Sequence, residues 1–187
     1  MKKTLVNLLL CSAFAAPALA ADAGTTYGAI DLGTWSLDTS SDPNSFPNTG
    51  AMAFSVGHRF TPNMAVEGGL VIAGQSTLSN FLGSLNYQQS AFKLAAVGSL
   101  PLSSSFSLFG KLGLAFVRGH LTGTSLFAAS DSATSTTNLL IGFGAQVELS
   151  QNVALRLQVE GLGKSTYDPS LEVGKATVST LGVTFTF

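Results

Sequence analysis

The sequence predicts an all-β fold, an eight-stranded antiparallel up-and-down transmembrane β-barrel. Three observations predict it. The composition is 45% hydrophobic and only 10% charged, with a positive mean hydropathy of +0.37, yet beyond the first twenty residues no apolar run approaches the roughly 20 residues of a spanning helix. The apolar residues recur instead with a period of two, one side of each run carrying the charges and the other almost none. The connections between runs alternate between short and long. A chain too apolar for water and too interrupted for membrane helices is left with the other way of spanning a bilayer, a closed barrel.

The first segment, "MKKTLVNLLLCSAFAAPALA", has Lys2 and Lys3, an apolar run from Leu5 to Ala16, and then Ala18-Leu19-Ala20. These are the charged, hydrophobic and small-residue regions of a secretory signal peptide, with Ala18 and Ala20 as the signal peptidase site. Residues 1–20 are therefore expected to be removed, leaving 21–187 as one barrel domain that begins at Ala21. Cys11, the only cysteine, lies in the removed segment, and Leu10 before it is too bulky for lipoprotein processing. The fold must hold without disulfides. Without Lys2 and Lys3, seven bases face ten acids, so no basic face invites nucleic acid.

Eight alternating runs follow in order. Residues 26–37 carry Asp31 on the charged side, and 51–60 carry Gly57 and Arg59. In 64–74, "MAVEGGLVIAG" sets Val66, Gly68, Leu70 and Ile72 against Ala65, Glu67, Gly69 and Val71. Residues 87–100 place Lys93 on the charged side, 106–118 place Lys111 and Gly113 there, and 137–149 place Gly144 and Gln146. In 153–164, Val153, Leu155, Leu157 and Val159 alternate with Ala154, Arg156, Gln158 and Glu160. The last run, 175–187, sets Leu181, Val183, Phe185 and Phe187 against Gly182, Thr184 and Thr186. Each run is near the roughly 9 to 11 residues that a tilted strand needs to cross the hydrocarbon layer.

Parity could also describe a soluble eight-stranded barrel, with the apolar face inside. Glycine decides against it: Gly57, Gly69, Gly113, Gly144 and Gly182 lie on the charged face, and small residues belong in the crowded interior of eight strands. The short connections are "TPN" (61–63), "PLSSS" (101–105) and "SQN" (150–152); the long ones are 38–50, 75–86, 119–137 and 165–174. Short periplasmic turns and long outer loops are the pattern of an outer-membrane barrel of a Gram-negative bacterium. An even strand number puts both termini in the periplasm and the long loops outside.

"FSVGHRFTPNMAVEGGLV" (54–71) resembles the second strand, turn and third strand of the small OmpA-like and OmpX-like barrels, the outer membrane protein beta-barrel domain family. "FGAQVELSQNVALRLQVEGLG" (143–163) resembles their sixth and seventh strands, and "AAVGSLPLSSSFSLFGKLGLAF" (95–116) their middle pair. The resemblance covers nearly all of the mature chain and implies a monomer set in outer-membrane lipid and lipopolysaccharide. It also implies that Thr180, Gly182, Phe185 and terminal Phe187 form the C-terminal assembly signal read by the barrel assembly machinery, by strand addition to an edge of the insertase. In the family, positions like Gln146 and Gln158 often carry glutamate, so the amides here weaken any salt-bridge gate.

By parity the lumen holds Asp31, Arg59, Glu67, Lys93, Lys111, Gln146, Arg156, Gln158 and Glu160. Charges in a narrow interior must be paired or hydrated, so a polar core that holds the barrel shut is expected, with an ion path as the lesser alternative. A second alternative is an enzyme that modifies lipid A, for which His120 with Ser125, Asp131 and Ser132 is the available set. Their spacing matches no lipase motif, and His58 sits at the opposite, short-turn end. With no cysteine and two distant histidines no metal site is expected, and no motif calls for a cofactor. The long loops, rich in Ser and Thr, embed Phe46, Leu78, Phe81, Leu82, Leu126 and Phe127, which leaves a surface ligand open. The expected role is structural or in surface contact, without catalysis.

Overall fold

The computed structural model describes residues 23–38, 48–80, 83–125, 129–168 and 171–187. These form strands β1 Thr26–Asp38, β2 Thr49–Thr61, β3 Met64–Ala73, β4 Ser76–Asn80, β5 Gly83–Pro101, β6 Phe106–Ser125, β7 Ala129–Glu148, β8 Val153–Asp168 and β9 Leu171–Thr186. Neighbours run β3-β2-β1-β9-β8-β7-β6-β5, all antiparallel, and β3 also pairs with β5. That last pairing closes an eight-stranded ring. The ninth strand, β4, pairs with β5 alone and stands above the ring.

Alternation holds around the wall. On β2 and β3 the burial pattern flips at nearly every residue. Leu112, Ile141, Phe143, Leu157 and Leu181 are more than half exposed on the outer face, while Ala53, Val71, Ala115 and Leu140 are fully enclosed. The exposure is of the kind that lipid, not water, covers.

The short turns are fixed by side chains at their corners. Thr61 Oγ1 accepts from the Asn63 amide at 3.3 Å, Ser103 Oγ accepts from the Phe106 amide at 3.1 Å, and the Asn152 side-chain amide donates to the Thr186 carbonyl at 2.8 Å. At the other end the sequence misleads. The long connections expected at 75–86, 119–137 and 165–174 are mostly strand: β4 folds back on β5, β6 and β7 stay paired as far as Thr124↔Ala129, and β8 pairs with β9 as far as Asp168↔Leu171. Only 81–82, 126–128 and 169–170 of those stretches lie outside the described residues, as does 39–47 of the first expected loop. The hydrophilic stretches are hairpin arms because β-branched Thr suits a strand and a backbone amide needs a partner whatever its side chain.

The wall is not uniform at the arm end. β7 pairs with β8 only from Glu148↔Ala154 to Ile141↔Gly161. Beyond that row β7 continues with β6, and β8 shifts register repeatedly against β9. Gly163, with φ +77°, sits at the departure; its left-handed backbone is one that glycine adopts at little cost.

Candidate functional site

The lumen is filled in three layers. At the turn end Tyr27, Ala65, Val97 and Phe109 pack together, and the Arg59 guanidinium lies 5.0 Å from the centre of the Tyr27 ring. At the arm end Trp35, Val71, Val117, Leu140, Leu162 and Val178 form an apolar layer, each at most 2% exposed. Between them lies a layer of charge.

Each charged side chain points inward because it shares parity with the small residues of its strand. Arg156 of β8 grips Asp31 of β1 with two nitrogens, Nε to Oδ1 at 2.6 Å and Nη2 to Oδ2 at 2.5 Å. Its Nη1 donates to Glu67 Oε2 of β3 at 3.0 Å and its Nη2 to Ser55 Oγ at 3.3 Å. Lys111 of β6 donates to Glu67 Oε1 at 2.6 Å and to Glu160 Oε1 at 3.1 Å. Lys93 of β5 pairs with the other oxygen of Glu160, and the Tyr27 hydroxyl donates to Glu67 at 3.0 Å. Three acids meet three bases, none more than 4% exposed. Fork-to-carboxylate geometry of this sort is the strong form of an ion pair, and a balanced cluster avoids the cost of an uncompensated buried charge.

Of the nine lumen residues expected from parity, six join this cluster. Arg59 does not, being half-buried at the turn end. Gln146 bonds instead to Glu148, 2.6 Å away. Gln158 is buried, but neither of its amide atoms has a hydrogen-bond partner among the described residues. Tyr27 and Ser55 are the members that the sequence reading missed. Both have the parity of the charged residues on their own strands, which was the available signal.

The C-terminal residues fall on both faces. Thr180 is buried opposite Gln158. Phe185 and Phe187 are exposed outside, at 41% and 80%, and the Phe187 amide donates to the Thr26 carbonyl at 2.8 Å. Gly182 has a steric role of its own: a Cβ there would lie 2.1 Å from Asp31 Oδ1 and 2.4 Å from the Ile30 carbonyl. Ala18 and Ala20 lie outside the described residues. The histidines stand at opposite ends. His58 contacts Thr26 and Phe60 near the short turns, whereas His120 faces Gln88 and Ala133 on the arms. The register sets Ser132 opposite Leu121, Asp131 opposite Thr122, and Ser125 opposite Gly83, so the set weighed for catalysis is spread over successive rows. Among the described residues no group of three acids, histidines or cysteines is placed to hold a metal ion.

A closed wall, apolar without and ion-paired within, defines an integral β-barrel membrane protein. The chain belongs to the outer membrane protein beta-barrel domain family, whose model matches residues 6–187, and this places it in the outer membrane of a Gram-negative bacterium. No curated protein matches it. Among solved structures it is similar to the attachment invasion locus protein Ail of Yersinia pestis in complex with the heparin analogue sucrose octasulfate, at 18% identity over 88% of this chain and 99% of that one, with a TM-score of 0.62. It is similar also to Neisserial surface protein A, at 13% identity over 87% and 97% with a TM-score of 0.68. A third is OprG of Pseudomonas aeruginosa, at 14% identity over 91% and 99% with a TM-score of 0.52. At these identities the likeness is one of fold.

Proposed function

We propose that the protein is a monomeric, non-catalytic component of the outer envelope that presents its hairpin arms at the cell surface and has no water path through its lumen. The observation that carries this reading is the neutral cluster of Asp31, Glu67, Glu160, Lys93, Lys111 and Arg156, roofed by the apolar layer of Trp35, Leu140 and Leu162. An ion would have to break paired charges in one layer and shed its water in the next, and eight strands leave an interior just wide enough for side chains to fill. Single-channel recording of the folded barrel in planar bilayers tests this. A flat baseline is expected; defined stepwise openings would assign the protein to the small-solute and ion channels instead.

In this reading residues 1–20 are removed on export with Ala18 and Ala20 at the cut, both ends of the barrel face the periplasm, and the arms face outward into lipopolysaccharide. Thr180, Gly182, Phe185 and Phe187 are the segment taken up by the assembly machinery through strand addition. Deleting Phe187 should lower the yield of heat-modifiable barrel in outer-membrane fractions, and an unchanged yield would end that assignment. Surface contact is supported by the arms themselves. The β6–β7 arm over 119–137 carries one acid, His120 and no lysine or arginine, so a ligand there would be held by hydroxyls, the imidazole and backbone. Cell binding that survives removal of the arm would exclude it.

A further inference from the structure

The lipid-facing side of the β5–β6–β7 wall changes chemistry abruptly. One row is Leu94, Leu114 and Leu139, and the next is Phe92, Phe116 and Thr137, with the two rings 6.1 Å apart. The row after that is Ser90, Arg118 and Ser135, followed by Gln88, His120 and Ala133. Two residues of a strand tilted by about 40° rise only about 5 Å, so Arg118 stands immediately above the aromatic girdle, at the level of lipid headgroups. It is exposed, and it is the one Lys, Arg, Asp or Glu in these four rows. The polar residues of the last two rows line a cavity of about 440 Å³ together with Gln89, Gly119 and Thr134, which alternate with them along the three strands. That is room for a headgroup rather than a lone ion.

We propose that this cleft binds a phosphate monoester on the headgroup of an outer-leaflet glycolipid. The guanidinium of Arg118 supplies charge and a planar fork suited to phosphate. His120, Ser90, Ser135 and Gln88 supply further hydrogen bonds around it, and Phe92 and Phe116 below meet the first carbons of the acyl chains. An arginine that merely snorkelled to the boundary would need neither a cleft nor a polar row on both neighbouring strands. The inference rests on the envelope reading and deepens it by naming a lipid partner.

The test measures, by native mass spectrometry, the bisphosphorylated lipid A retained on the folded barrel after release from detergent, with its dephosphorylated form as the parallel probe. Wild type should retain the phosphorylated form preferentially. Arg118→Gln should reduce retention about fivefold, the effect of one basic residue near a charged headgroup, Arg118→Lys, which keeps the charge and loses the fork, should fall between it and wild type, and Ser135→Asp should abolish retention from across the row. Heat-modifiability monitors folding of each variant. Equal retention by Arg118→Gln, or equal retention of the dephosphorylated lipid, would overturn the proposal. Displacement of the lipid by inorganic phosphate or sucrose octasulfate would overturn it too, by assigning the cleft to a soluble anion. The assay does not depend on conductance or on which way the arms face, so its failure and failure of the envelope reading are separable.

Discussion

Removing Arg156 would strand the buried Asp31 carboxylate and take one of two bases from Glu67, which keeps Lys111. Arg156→Met should therefore destabilise the barrel by about 3–5 kcal/mol, as when one partner of a buried pair is deleted, read by urea unfolding in lipid vesicles. Adding Asp31→Asn should recover part of the loss, and a double-mutant cycle measures how much the two share. Gly182 belongs to the same contact from the other side. Gly182→Val must push against both a carboxylate and a strand backbone, an overpacking that costs about 1–3 kcal/mol, and the fraction of heat-modifiable protein should fall. A glycine that reads from the sequence as part of a terminal pattern is also the floor on which Asp31 sits.

The strands divide into a part that crosses lipid and a part that does not. Replacing residues 122–131 by Asn-Gly joins Leu121 to Ser132, which already face each other, through a two-residue turn suited to a hairpin. The ring below is untouched, so heat-modifiability should be that of the full chain; its loss would mean that the arm helps to hold the wall. This division also explains what could be read from the sequence. Where a strand has lipid on one side and lumen on the other, its residues alternate, and Val66 against Glu67 or Leu157 against Arg156 gives the face directly. Beyond the lipid neither face has that contrast, so "TGTSLFAASDSATSTT" loses its alternation although Thr122 to Thr124 stay paired with Ala129 to Asp131. Parity gives the side of a strand but not the partners met across the lumen. Arg59 and Arg156 share the inward side, and parity does not tell which partners each meets: one stacks on Tyr27 near the turns and the other anchors the cluster.

At the scale of the whole molecule the eight-stranded ring and its two-faced wall follow from composition and period alone, because only a closed sheet satisfies every backbone group in lipid. What holds the lumen follows from closure: Asp31 and Arg156 lie far apart in sequence and meet only because β9 comes to rest between β1 and β8. The hairpins of the wall can each form from neighbouring residues, but the pairing of Tyr27 with Thr186 joins the first strand to the last. Contacts of such long span make folding slow. Until those strands meet, the first strand has one bare edge and Asp31 lacks Arg156, which reaches it only across β9. A chain caught before that join presents an unpaired strand edge of the kind that pairs with other chains, and closing the ring removes it.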